Sequence, residues 1–343
     1  MILFRGFWLL LVCLVLSGET HGQDIPAKPY RALEDADSLY VLGFRRKADV
    51  RTHFTSQRYL LEYGSSQGSG QATGRFTNVS EFLGGGFTYK FLDLDLSFSL
   101  PQTRILETGI QNLTQFRLTG SFSSRRWVIR GYWLQSTGLV ATDADGQFVS
   151  GPSVDMLSLG IPITYIFNAR RYSFRSAAFQ GEAQMKSAGS FLLRTEPFFR
   201  RLGTGNVFVP PGQDNVAKYG EQAGLKYVYA PGVILLPGYG YNAVSRNGKW
   251  FVSPMAFVGG GVAWNVYKGN SGEKQKVSPQ WKASAMLNVG YNGPRWYVAV
   301  RSAWEYDYFF LDPSFFRTTD IKLGFTLGYR FTYFEKWLPE SLF

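Results

Sequence analysis

From about residue 50 onward, apolar and polar positions alternate with a period of two. Ile321, Leu323, Phe325, Leu327, Tyr329, Phe331 and Tyr333 make one face of the clearest run. Asp320, Lys322, Gly324, Thr326, Gly328, Arg330 and Thr332 make the other. Trp296 to Tyr308, Leu157 to Phe167 and Trp281 to Tyr291 read the same way, and Leu92 to Leu100 alternates at every position. Such runs predict strands. Roughly thirteen occur, near 50–63, 79–90, 93–101, 112–123, 126–137, 154–167, 172–180, 188–198, 232–244, 249–267, 279–292, 295–309 and 318–333. Tight connections fall at Phe91-Leu92, Ser124-Arg125, 168–171, 246–248 and 292–294. The short–long alternation of connections changes phase between about 198 and 232. Either 222–229 adds a strand, giving about 14, or 188–198 leaves the wall, giving about 12, since single-chain bacterial barrels have even strand numbers. On the rule that short turns lie on the periplasmic side, 64–78, 102–111, 138–153 and 181–187 are expected on the outside. The triple glycines 84–86 and 259–261 are expected at bends or bulges, with the apolar phase flipping across the second.

Alternation alone fits a soluble sandwich, apolar face inward, or an outer-membrane barrel, apolar face towards lipid. Three features favour the barrel. The runs are long, about 10–15 residues, where ordinary strands average about 5–6. Aromatics stand at both ends of the runs, as in Trp296 with Tyr308 and Phe309, which suits interfacial girdles. The polar face carries full charges and glycines, which suits a polar lumen. The expected class is therefore all-β: a closed antiparallel transmembrane β-barrel of about 12–14 strands.

Composition agrees. Aromatics are 17% and charged residues 18%, so disorder is excluded, and one cysteine among 343 residues excludes a disulfide framework. Residues 1–22 read as a secretory signal peptide, with Arg5 before the apolar run Phe7 to Leu16. Residues 23–49 read as a periplasmic segment, 50–334 as the barrel and 335–343 as a tail. Cleavage would remove Cys13 and His21, leaving His53 as the one histidine. A thiolate site and a multi-histidine zinc site are then impossible, and no metal or cofactor is implied.

The chain carries a net charge of +11, and the expected lumenal face shares in the basic excess. Lys90, Arg117, Arg130, Arg175, Lys282, Arg301, Lys322 and Arg330 share it with Asp93, Asp95, Glu305, Asp307 and Asp320. Such a basic lumen favours passage or binding of small anionic solutes. The competing reading is a closed structural, assembly or partner-binding barrel whose charges pair with one another. A third is a lipid-modifying enzyme, for which His53 is the one candidate base. His53 shares parity with Tyr59, Leu61 and Tyr63, a face expected to meet lipid. A carboxylate pair, Asp307 with Glu305 or Asp320, is the other catalytic candidate. Exposed basic residues would meet lipid and lipopolysaccharide phosphates; export makes nucleic acid an unsuitable partner.

Asn168 to Phe191, with Leu83 to Lys90, Pro237 to Asn242 and Gly328-Tyr-Arg-Phe331, resembles the Bacteroidetes domain-of-unknown-function 4421 family of envelope proteins. The resemblance implies an outer-membrane setting and supplies no activity. Within 168–191, Gln184, Lys186, Ser187 and Gly189 form a polar loop, read either as an anion-gripping gate or as a turn that pins two strands. Gly324 to Phe334 resembles the terminal aromatic strand that barrel-assembly machinery recognises, although a tail follows it here.

Overall fold

The computed structural model describes residues 30–45, 48–65, 72–100, 114–142, 154–204, 208, 224–269, 272–311 and 314–331. The expected signal peptide and C-terminal tail lie outside these residues. Two short strands come first, β1 (Tyr30–Arg31) and β2 (Val41–Phe44). The wall then runs β3 (Ala48–Ser65), β4 (Ala72–Tyr89), β5 (Leu92–Ser99), β6 (Thr114–Ser123), β7 (Trp127–Thr142) and a strand in two pieces, β8 (Val154–Gly160) and β9 (Ile163–Ile166). Helix α1 (Phe174–Phe179) and β10 (Glu182–Gln184) interrupt it. It resumes with β11 (Ala188–Thr204), β12 (Tyr227–Val244), β13 (Trp250–Gly269), β14 (Gly272–Asn292), β15 (Trp296–Leu311) and β16 (Ser314–Phe331). Every neighbouring pair is antiparallel, β11 joins β12, and β16 closes on β3 from Ser314↔Ser65 to Phe331↔Ala48. The result is a closed barrel of twelve wall strands.

The even count comes from a different place than either expected correction. Residues 188–198 stay in the wall within β11, and β12 begins only at Tyr227. The run at 172–180 is the one that is not a strand. Ser173 caps a short helix, its Oγ accepting from Ser176 N at 2.9 Å. Buried Phe174, Ala177 and Ala178 follow at helical i, i+3 and i+4 spacing. Gln180 ends the helix in the left-handed region at φ 56°. Since the chain does not cross there, 181–187 lies with the tight turns, at the end opposite to the one expected.

The wall breaks at Gly160-Ile161-Pro162, where Pro162 has no N–H to give the ladder. Ile161 N still donates to Pro197 O and Arg130 N to Pro162 O, both at 2.9 Å, so the wall stays joined. Neither triple glycine is a bulge. Residues 84–86 pair in register with Arg51, Thr52 and His53, and 259–261 with Gln280, Trp281 and Lys282. Nor does the phase flip across the second: Phe251, Ser253, Met255, Phe257, Ala263, Asn265 and Tyr267 all point inward. The second triplet lets β12 approach, since a Cβ on Gly259 would stand 2.0 Å from Leu235 O.

Outward positions are apolar around the ring: Leu94, Trp133, Leu235, Val258, Val300, Leu323 and Phe325 are among the exposed side chains. Trp127, Trp250 and Trp296 start their strands just after tight turns and are exposed, as an interfacial girdle requires. Phe309, expected in the opposite girdle, instead points inward and is fully buried.

Candidate functional site

Different materials stand across the two ends of the barrel. At the loop end, β5 and β6 stop short and β4 pairs directly with β7 through Arg75↔Thr142 to Thr77↔Val140, so the ring narrows. Tyr63, Phe76, Phe309 and Phe316 fill the narrowed lumen, and Phe208 joins them from the β11–β12 connection, its N donating to Leu225 O. Phe316 lies 4.7 Å from Phe309, 4.9 Å from Tyr63 and 5.6 Å from Phe208 between ring centroids. We call this cluster the cap.

At the turn end, β1, β2 and β10 form a three-stranded sheet that, with α1, makes a plug. An α-helix leaves its last carbonyls without internal partners. Here the wall supplies them: Asn288 Nδ2 donates to Ala177 O at 2.6 Å, Arg301 to Ala178 O and Arg330 to Gln180 O. Arg330 also donates to Gly293 O and to Asn292 Oδ1, and its Cζ lies 3.8 Å from the Phe44 ring centroid. Arg125 adds bonds to Glu182 and to Ala169 O. The phenol of Tyr172, packed against Gly240 in this plug, has its ionisation pushed up by burial, so it stays protonated.

Between cap and plug lies a cavity of about 320 Å³. Eight cationic side chains and six carboxylates line it. The carboxylates are all engaged by only four of the cations. Arg51 grips Asp93 with two bonds of 2.8 Å and reaches Asp95. Lys282 holds Glu196 at 2.8 Å and Glu305 at 3.8 Å. Lys322 holds Asp320 at 2.7 Å and Glu305 at 3.7 Å, and Arg200 holds Asp307 at 3.4 Å. The other four, Arg117, Arg130, Arg194 and Arg301, have no carboxylate partner among the described residues. Arg117 donates to Gln57 Oε1, Arg194 to Thr164 Oγ1, and Arg301 to Asn288 Oδ1 and the Ala178 carbonyl. Arg130 lies close enough to Arg117, Arg194 and Arg301 for mutual like-charge repulsion.

The sequence-derived candidates divide accordingly. Arg117, Arg130, Lys282, Arg301, Lys322, Glu305, Asp307 and Asp320 line the cavity together. Lys90, Arg175 and Arg330 do not; they border a small groove between plug and wall. Lys90 occupies the β4–β5 turn at φ 51°, and its carbonyl accepts from Arg175. The family loop is a knot within the plug. Gln184 Oε1 accepts from Ser173 N at 2.9 Å, and its Nε2 donates to Arg171 O and Lys186 O. Ser187 Oγ accepts from Val244 N at 3.0 Å, Gly189 gives room to Tyr239, and exposed Lys186 lies over Tyr40.

His53 is the main reversal. It faces the lumen, not lipid, as do Tyr59, Leu61 and Tyr63 on its parity. Gly84 makes the room, since a Cβ there would stand 2.2 Å from His53 Nε2. His53 Nε2 lies 2.9 Å from Ser97 Oγ and 3.4 Å from Asp95 Oδ1. A nucleophile–base–acid relay needs hydroxyl and carboxylate on opposite ring nitrogens. Here both meet the same one. The second catalytic candidate is likewise altered: Glu305 and Asp320 stand opposite one another across β15 and β16, with Lys322 bonded to both.

Sequence reasoning missed Arg51, Arg194, Glu196 and Arg200. The even-numbered inward face of β11, from Leu192 to Leu202, was the available signal for the last three.

Solved structures similar to this chain are outer-membrane barrels. The outer membrane protease OmpT from Escherichia coli is 10% identical, with 83% of this chain and 96% of that one covered and a TM-score of 0.38. The translocator domain of autotransporter NalP from Neisseria meningitidis is 9% identical, covering 82% and 88%, with a TM-score of 0.34. The toluene transporter TodX of Pseudomonas putida is 8% identical, covering 82% and 89%, with a TM-score of 0.26. These likenesses concern the fold. No curated protein matches the sequence. The family profile described as "Domain of unknown function (DUF4421)" matches residues 35–331, and the chain belongs to that family.

Proposed function

We propose that this protein is an outer-membrane barrel that binds a small anion in a closed lumen. The observation that carries the reading is the set of four guanidiniums left over after every cavity carboxylate is paired. Like charges gathered in a low-dielectric space repel, and an oxyanion accepting from several of them relieves that cost. Arginine forks suit phosphate, sulfate or carboxylate.

The closed ends favour binding over free permeation. A permanently open pore needs a continuous wet lumen, and both the cap and the plug stand across this one. The purely structural reading is weaker, because the lining carries eight cations against six carboxylates, an excess of two. The His53 geometry and the lysine-bridged carboxylates support a non-enzymatic role.

Equilibrium dialysis of inorganic phosphate against the refolded barrel in detergent tests the reading. Saturable binding, weakened about tenfold or more by Arg130→Gln, is the expected result. Absence of saturable binding of phosphate, sulfate and acetate would contradict it.

A further inference from the structure

The cavity lining is not all charge. Phe174 and Phe179 of α1 line it from the plug, and Met255, Phe257 and Met286 line it from β13 and β14. These residues are neighbours. Asn288, which holds Ala177 O of the helix, is the next inward residue on β14 after Met286, and Met286 pairs with Met255. All five belong to one apolar cluster. Leu134 on β7 packs against that cluster and lines the same cavity. Met286 and Leu134 point into the lumen, yet both are only half-buried. On the inner face of a closed wall, the apolar surface they leave uncovered faces the cavity.

This surface adjoins the guanidiniums. Arg194 Cζ lies 3.8 Å from the Phe257 ring centroid. Arg301 bonds Asn288 and the Ala178 carbonyl, where wall and helix meet. Apolar surface left against water is unfavourable in proportion to its area. A side chain placed only for packing is covered by its neighbours, and these two are not. Ligand pockets combine a largely apolar lining with a few placed polar groups, and a flexible thioether adapts to an irregular partner. The volume of about 320 Å³ is the liquid volume of roughly ten waters. A bare phosphate or acetate would leave much of the apolar lining wet. An anion that carries an apolar body would cover it.

We propose that the cavity takes an amphipathic anion, an organic phosphate or carboxylate, with its acidic group on the guanidiniums and a compact apolar body against Met286, Leu134 and Phe179. This rests on the anion-binding reading and adds to it the substrate class.

Equilibrium dialysis of the full chain in detergent, against protein-free micelles as blank, tests the assignment. The probes are inorganic phosphate, hexyl phosphate, acetate, hexanoate and hexanol. Retention that excess inorganic phosphate displaces is counted as cavity binding, which separates it from adsorption on the lipid-facing wall. Hexyl phosphate or hexanoate is expected to bind about tenfold tighter than its bare counterpart, with no displaceable hexanol. Which of the two wins distinguishes a phosphate from a carboxylate ligand. The double substitution Met286→Gln with Leu134→Gln is expected to bring the ratio of hexyl to bare affinity within about twofold. Heat-modifiable migration reports that the variant is folded; if the pair fails to fold, Met286→Gln alone is expected to cut the ratio about threefold. Equal affinity for bare and hexyl anions overturns the apolar subsite and leaves the anion site standing. A preference that survives the substitutions in folded protein overturns it too. Absence of displaceable binding by every probe overturns both readings together.

Discussion

The cap and the plug both stand across the lumen, and they are built by opposite means. The cap is aromatic: Tyr63, Phe76, Phe208, Phe309 and Phe316 are all fully buried, and they meet through ring faces and edges. The plug is polar, a short helix and a three-stranded sheet held by side chains donating to backbone carbonyls. Apolar packing is lost gradually and has no discrete alternative partner. A hydrogen-bonded dock can exchange one set of acceptors for another. The plug also shares a residue with the cavity, because Arg301 lines the lumen and caps α1. The cap meets the cavity through Arg200, whose guanidinium lies 5.4 Å from the Phe309 ring centroid. The plug is thus joined to the cavity by a hydrogen-bonded arginine, and the cap by a ring contact.

The largest expected effect is on the cap. Phe316→Ala should destabilise the barrel by roughly 3–5 kcal/mol, read as a lowered denaturant midpoint in lipid vesicles. Arg330→Ala should cost on the order of 3 kcal/mol, because Gln180 O, Gly293 O and Asn292 Oδ1 lose their charged donor together. The two seals act in series. Neither the parent nor either single variant should give stable conductance steps in a planar bilayer, and the double variant should. Steps from the parent would show that the lumen is already open.

The interior of the wall also carries information on how far the pattern of residues can be read. Period two located the wall, and parity found Arg117, Arg130 and Arg301, because the outward faces of those strands stay largely apolar. It failed on β3, whose inward face is Arg51, His53, Thr55 and Gln57 and then becomes Tyr59, Leu61 and Tyr63. Aromatic residues there build the cap, so "aromatic means lipid" inverted the strand. It failed again at 172–180, where six helical residues are too few to show a 3.6 period against a period of two. The Ser173 cap was the one local sign. The four-to-four split of the cations was not legible at all, since it depends on which strands face one another across the lumen.

Two smaller effects probe the same contrast. Gly84→Ala should cost roughly 1–3 kcal/mol, because its Cβ would meet His53 Nε2 at 2.2 Å and the Leu96 carbonyl at 2.6 Å. Adding His53→Ala should restore only part of this, since the Leu96 backbone remains; full restoration would mean the backbone is not constraining. Gln184→Ala should loosen the plug by roughly 2 kcal/mol while sparing the wall. Hydrogen exchange should then speed at residues 41–44 and 182–185 and stay unchanged in β13 and β14. Uniform acceleration would show that plug and wall unfold as one unit.

The most direct test is a crystal of the barrel soaked in selenate, whose anomalous scattering marks the anion. A peak inside the lumen within hydrogen-bond reach of Arg130 and at least one of Arg117, Arg194 and Arg301 is the expected result. A cavity without a peak, with those guanidiniums turned onto carboxylates, would contradict an anion site in the closed lumen.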